Sequence, residues 1–81
     1  MDKEKLALFR EKIDKLDRQI AALISERAAT AREIGKAKGG APVYDPGREK
    51  QVIDGVAANC PDLDPEAVER IYREIISLCR G

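Results

Sequence analysis

Residues 6–37, LALFREKIDKLDRQIAALISERAATAREIGKA, decide the fold. Apolar side chains recur at alternating steps of three and four, through Leu6, Phe9, Ile13, Leu16, Ile20 and Leu23. This spacing keeps them on one face of an α-helix, and the charged residues Lys12, Lys15 and Arg18 fall off it. The next step lands on Arg27, and the stripe then resumes at Ile34 and Ala37. A guanidinium on a buried stripe costs several kcal/mol unless something anionic meets it. A bound carboxylate would do so, as would Glu26 or an acid from another segment.

Working outward, the helix is expected from about Asp2 to Lys38, with no proline inside it and Gly39-Gly40 as its C-terminal stop. A linker over 39–45 follows. Asp45-Pro46 restarts a helix, with aspartate as N-cap and proline at the first helical position. This second helix carries Val52, Ile53 and Val56 and stops near Asn59-Cys60-Pro61. Asp64-Pro65 repeats the start signal for a third helix to about residue 80, whose apolar face holds Val68, Ile71, Tyr72, Ile75, Ile76 and Cys79. The fold class is therefore all-α: three helices, one very long, and no strand.

The length of the first helix has a consequence. At ~1.5 Å per residue it spans roughly 55 Å, whereas a compact domain of this size is only about 30 Å across. Its apolar face must overhang its own core, and leaving it half exposed would forgo on the order of 10 kcal/mol. A two-fold antiparallel partner chain would cover it. A plain coiled coil fits less well, since the flanking positions show no regular charge code and two shorter helices follow.

Composition narrows the function. The chain has 81 residues, one small domain, with 15 basic and 15 acidic side chains, so no global field draws it to nucleic acid or a membrane. Aromatic residues make up only 4%, which leaves few platforms for stacking bases. With no histidine, a Ser-His or Cys-His pair, histidine acid–base chemistry and the usual zinc sites are excluded. The two cysteines, Cys60 and Cys79, lack metal or redox spacing and read as free thiols in a reducing compartment. The N-terminus is polar, and no apolar run is long enough to span a bilayer. A soluble cytoplasmic domain is expected.

Three cations on the first helix stand out: Arg10, Arg27 and Lys38. Arg27 and Lys38 lie three turns apart, within about 20° in azimuth and roughly 16 Å along the axis, so both can reach a ligand lying between them. Arg10 sits roughly 25 Å from Arg27 and cannot join it within one chain. In an antiparallel dimer the partner's Arg10 could arrive there, which predicts two equivalent sites built from both chains. Each residue also has an ordinary explanation. Lys38 suits a helix C-terminus, Arg10 could pair with Asp14, and Glu49 suits the first turn of the second helix. Together they suggest a cationic pocket for a small polycarboxylate, with one acid available for a hydroxyl.

An ordered set of segments then resembles a known family. Phe9-Arg10-Glu11-Lys12-Ile13-Asp14, Leu16-Asp17, Glu26-Arg27 and Ile34-Gly35-Lys36-Ala37-Lys38 resemble the first helix of the all-helical chorismate mutases. Tyr44-Asp45-Pro46-Gly47-Arg48-Glu49 is similar to their second-helix start, and Ile71-Tyr72-Arg73-Glu74-Ile75-Ile76-Ser77 to their third helix. The third helix is closest in style to mutase domains fused to prephenate dehydratase. The resemblance implies an intertwined homodimer that converts chorismate to prephenate, with no cofactor and no metal. It assigns Arg27 and the partner's Arg10 to the two substrate carboxylates and Lys38 to the ether oxygen. Glu49 and the Asp45 backbone would hold the ring hydroxyl, and Arg48 would support the pocket. This intramolecular Claisen rearrangement uses no nucleophile and no general base, which suits a chain without histidine.

Two positions depart from the family pattern. Cys79 stands where the family usually has a serine, so a hydroxyl contact to substrate is expected to be weaker or missing. The family also places a glutamine or glutamate about one turn later, and the sequence ends at Gly81 before it. The expectation is a segment cut from a longer polypeptide and a catalyst poorer by about two orders of magnitude. Two other functions share these features: an isochorismate pyruvate-lyase on the same scaffold, and a non-catalytic helical dimerisation or sensor domain.

Overall fold

The computed structural model describes residues 2–39 and 45–80 and contains three α-helices, α1 (Lys3–Ala37), α2 (Pro46–Asn59) and α3 (Pro65–Arg80). There is no strand among the described residues. Most of the expected 39–45 linker lies outside them.

Each helix starts on an aspartate. Asp2 Oδ1 accepts from the Glu4 amide at 3.0 Å, Asp45 Oδ1 from the Arg48 amide at 3.1 Å, and Asp64 Oδ1 from the Glu66 amide at 3.1 Å. These carboxylates satisfy amides that the helices themselves leave without partners. Pro46 and Pro65 follow at the first helical position, where a missing N–H costs nothing. At the other end of α1, Gly39 adopts φ +63° and its amide donates to the Lys36 carbonyl at 3.0 Å. That left-handed turn ends the helix and explains a glycine at this position.

α1 sets the shape. Its 35 residues give a rod of about 52 Å, and the molecule's longest dimension is 55 Å. The radius of gyration is 16.3 Å, against about 12 Å for a compact domain of this length. α3 packs against both α1 and α2, which do not pack on each other among the described residues. The buried core is correspondingly small: Ile53 from α2, with Val68, Ile76 and Cys79 from α3.

No residue of α1 is buried. Its half-buried positions are Leu6 and then Ile24, Arg27, Ala28, Ala31 and Gly35. The last five form an arc whose small residues let α3 approach, and the arc is turned from the leucine stripe by about 60°. Phe9, Ile13, Leu16, Ile20 and Leu23 are left 42–63% exposed. On α3 the expected apolar face needs one correction. Val68, Ile76 and Cys79 are buried and Tyr72 and Ile75 half-buried, but Ile71 is 63% exposed. At 100° per residue Ile71 falls beside Leu78 on the flank of that face, beyond the reach of α1 and α2.

Candidate active site

Where α1 ends, the first turn of α2 and the last turn of α3 enclose a cleft of about 370 Å³, a size that suits a small molecule. α1 contributes Arg27, Thr30, Ala31, Ile34 and Lys38; α2 and its cap contribute Asp45, Arg48, Glu49 and Val52; α3 contributes Ile76, Cys79 and Arg80. Four cationic side chains thus face two carboxylates, an imbalance that favours a dianion.

Arg27 lies at the boundary between the stripe of α1 and the arc that meets α3. Among the described residues no carboxylate pairs with it there. Its guanidinium carbon lies 5.4 Å from the centroid of the Tyr72 ring, a cation–π contact. Burial works against the Arg27 cation, but the Cys79 thiol and the Tyr72 phenol outweigh it and leave the pKa above the ordinary arginine value. The side chain is held as a cation and braced on a ring, with no ion pair among the described residues.

Lys38 forms the C-cap of α1, its amide donating to the Ile34 carbonyl at 3.0 Å, and its side chain lines the same cleft one turn beyond Ile34. The cap satisfies the backbone without the ammonium. Lys36, the neighbouring lysine, pairs instead with Glu33 at 3.2 Å on the exposed side.

Asp45 has its side chain committed to the α2 cap, while its carbonyl accepts from the Glu49 amide at 2.9 Å. This double tie fixes the first turn of α2 and aims Glu49 at the end of α3. There, Arg80 Nη1 donates to Glu49 Oε2 at 2.9 Å. Arg48 lines the cleft but donates through Nη1 to Gln51 Oε1 at 2.8 Å, so its guanidinium is held along its own helix.

The single chain therefore brings together Arg27, Lys38, Asp45, Arg48, Glu49 and Cys79. It does not bring Arg10, which is exposed on α1 and seventeen residues, roughly 25 Å, from Arg27. Among the described residues Arg10 and Asp14 form no ion pair.

Two residues of the site escape a reading by periodicity. Tyr72 reads simply as part of the apolar face of α3, because nothing in spacing reveals which side chain it supports across the interface. Arg80 is the last helical residue, where a cation has the ordinary excuse of the helix dipole. The only signal for either was azimuth. Tyr72 falls within about 20–40° of Cys79 and Val68, whereas Arg80 lies about 40° beyond Ile76 and about 100° from Cys79.

Comparison with known proteins gives a consistent result. The profile of the family described as "Chorismate mutase type II" matches residues 9–81. A chorismate mutase of Methanocaldococcus jannaschii is 41% identical over 77 residues, covering 90% of this chain and 78% of the relative. A bifunctional chorismate mutase/prephenate dehydratase of Pseudomonas aeruginosa is 41% identical over 86 residues, covering 96% of this chain and 24% of the relative. The corresponding Aquifex aeolicus protein is 36% identical over 83 residues, covering 94% and 23%. The chain thus spans about a quarter of the length of these bifunctional relatives. No solved structure matches it at a significant level. With nearly the whole chain matched, and with a relative matched over most of its own length, the chain belongs to the chorismate mutase type II family.

Proposed function

We propose that this chain is a chorismate mutase domain that rearranges chorismate to prephenate, and that it works as an antiparallel two-fold dimer. The observation that carries this reading is the convergence of Arg27, Lys38 and Glu49 on one cleft of suitable size. Arg27 binds one substrate carboxylate. Arg10 of the second copy binds the other, reaching across the exposed stripe of Phe9, Ile13, Leu16, Ile20 and Leu23. Lys38 donates to the ether oxygen, and Glu49 with the Asp45 backbone holds the ring hydroxyl. Arg48 supports the pocket once its tie to Gln51 is exchanged, and Cys79 contributes a small thiol beside Arg27.

Such a site accelerates the rearrangement in two ways. It holds the substrate in the compact conformer from which the new carbon–carbon bond forms, removing entropy that free chorismate loses on the way to the transition state. It also places the Lys38 ammonium where negative charge grows as the ether bond breaks, and one preorganised donor of that kind contributes about 3–4 kcal/mol. No proton needs to be transferred. A chain without histidine is chemically sufficient for this reaction.

Both cysteines are free and no helix among the described residues is long and apolar enough to cross a membrane, which supports a cytoplasmic setting. Prephenate is what the second activity in the names of the bifunctional relatives acts on. A fused dehydratase is therefore the partner this reading favours.

The experiment is direct. Chorismate is mixed with the chain, its ultraviolet absorbance is followed, and pyruvate is measured in parallel with isochorismate as substrate. Loss of chorismate absorbance with formation of prephenate supports the mutase. Pyruvate release from isochorismate without chorismate turnover supports the lyase, and silence in both assays leaves a dimerisation or sensor role. Arg27→Ala abolishes the turnover while helical circular dichroism persists; normal turnover by that variant excludes the cleft as the site.

A further inference from the structure

Arg80 and Glu49 are thirty-one residues apart and join the last turn of α3 to the first turn of α2 at the mouth of the cleft. Their side chains are 33% and 13% exposed. The pairs Lys36–Glu33, Lys50–Asp54 and Arg73–Glu69 each lie within one helix, with side chains 43–77% exposed. Pairs of the latter kind are screened by water and contribute little. The Arg80–Glu49 contact is sheltered, spans two helices and lies among the residues assigned to substrate.

We infer that Arg80 is a positioning residue for Glu49, an inference that rests on the mutase reading above. By holding Oε2 it orients the carboxylate, so that Glu49 can accept the ring hydroxyl through Oε1. It also offsets the one charge in the cleft whose sign opposes a dianion without being committed to a helix cap. Without Arg80 the lining would keep three cations against two carboxylates, and the freed Glu49 would repel the substrate carboxylates. The ordinary explanation, that Arg80 only complements the dipole of α3, predicts a change in stability and none in substrate affinity.

Four variants of the full chain decide between these: R80Q, R80K, E49Q and R80Q/E49Q. Each is assayed for chorismate turnover after its circular dichroism and oligomeric mass are matched to wild type. R80Q raises KM about tenfold, as loss of a charged hydrogen bond does, with kcat changed less than about threefold. R80K, which keeps the charge and one donor, recovers most of that loss. In the E49Q background the R80Q substitution changes KM less than about threefold, because the group it positions is gone. The inference is overturned if R80Q leaves KM unchanged, if R80K is as poor as R80Q, or if R80Q costs as much with E49Q as without it. Absence of chorismate turnover by the wild-type chain overturns the mutase reading and this inference together, whereas an active wild type with an indifferent R80Q overturns the inference alone.

Discussion

Replacing Ile13 by glutamate separates a two-chain site from a self-sufficient single chain. Ile13 is 55% exposed in the middle of a stripe whose five members are 42–63% exposed. Covering the open half of each is worth on the order of 1 kcal/mol, so about 5 kcal/mol per chain and about 10 kcal/mol for a symmetric pair. The glutamate removes about 1 kcal/mol of that from each chain. It also buries a carboxylate in the seam twice over, which costs more than the lost apolar contact. A combined penalty of at least about 4 kcal/mol weakens the dimer at least about a thousandfold. In a single chain the same change falls on an exposed helical position and alters stability by no more than about 0.5 kcal/mol. Analytical ultracentrifugation of wild type and Ile13→Glu over a concentration series reads the effect, with Glu11→Gln on the opposite face of α1 as control. The expected result is a dimeric wild type and control, a monomeric variant, and mutase activity lost with the dimer. A variant that dimerises with the wild-type constant, or a monomeric variant that retains turnover, would refute the reasoning.

The ring beneath Arg27 should matter for affinity more than its hydroxyl does. Tyr72→Leu removes a cation–π contact worth about 0.5–2 kcal/mol and raises KM by roughly two- to thirtyfold, whereas Tyr72→Phe stays close to wild type; steady-state kinetics on the two variants compares them. Asp45→Ala removes the side-chain cap of α2 and costs about 1 kcal/mol, seen as a lower Tm; Asp45→Asn, which can still accept from the Arg48 amide, recovers most of it.

Much of the architecture is legible in residues 6–37 and in the two aspartate-proline pairs, because these are local signals. A three-four spacing needs only helix geometry, and an N-cap needs only the amides of the turn that follows it. The positions of Arg27 and Lys38 in one cleft follow from the same geometry, since eleven residues of helix return nearly to the same azimuth. What was not legible depends on contacts between helices. The stripe of Phe9 to Leu23 gave no sign that α3 would choose the neighbouring arc of Ile24, Ala28, Ala31 and Gly35 instead. Small residues define that arc, and hydrophobicity weighs them lightly even though they permit the closest approach. Spacing alone puts Ile71 on the packed face, because an apolar residue there is compatible with burial, but only the actual width of α1 and α2 decides which edge is covered. Read from the sequence, the expected partner of Arg27 is an acid or a bound carboxylate, because a sheltered cation needs an anion. Tyr72 supplies a ring instead, and among the described residues no carboxylate pairs with Arg27.

The most direct test of a site built from two chains is complementation between two inactive variants. Arg10→Ala and Arg27→Ala are each purified, shown to be inactive, then mixed in equal amounts, unfolded and refolded together. A mixed dimer places the intact Arg27 of one protomer opposite the intact Arg10 of the other, restoring one site of its two. Random pairing makes half of the dimers mixed, so about a quarter of wild-type chorismate mutase activity should return. A mixture that stays as inactive as its two components, with mixed dimers demonstrated by mass, would contradict a site shared between chains.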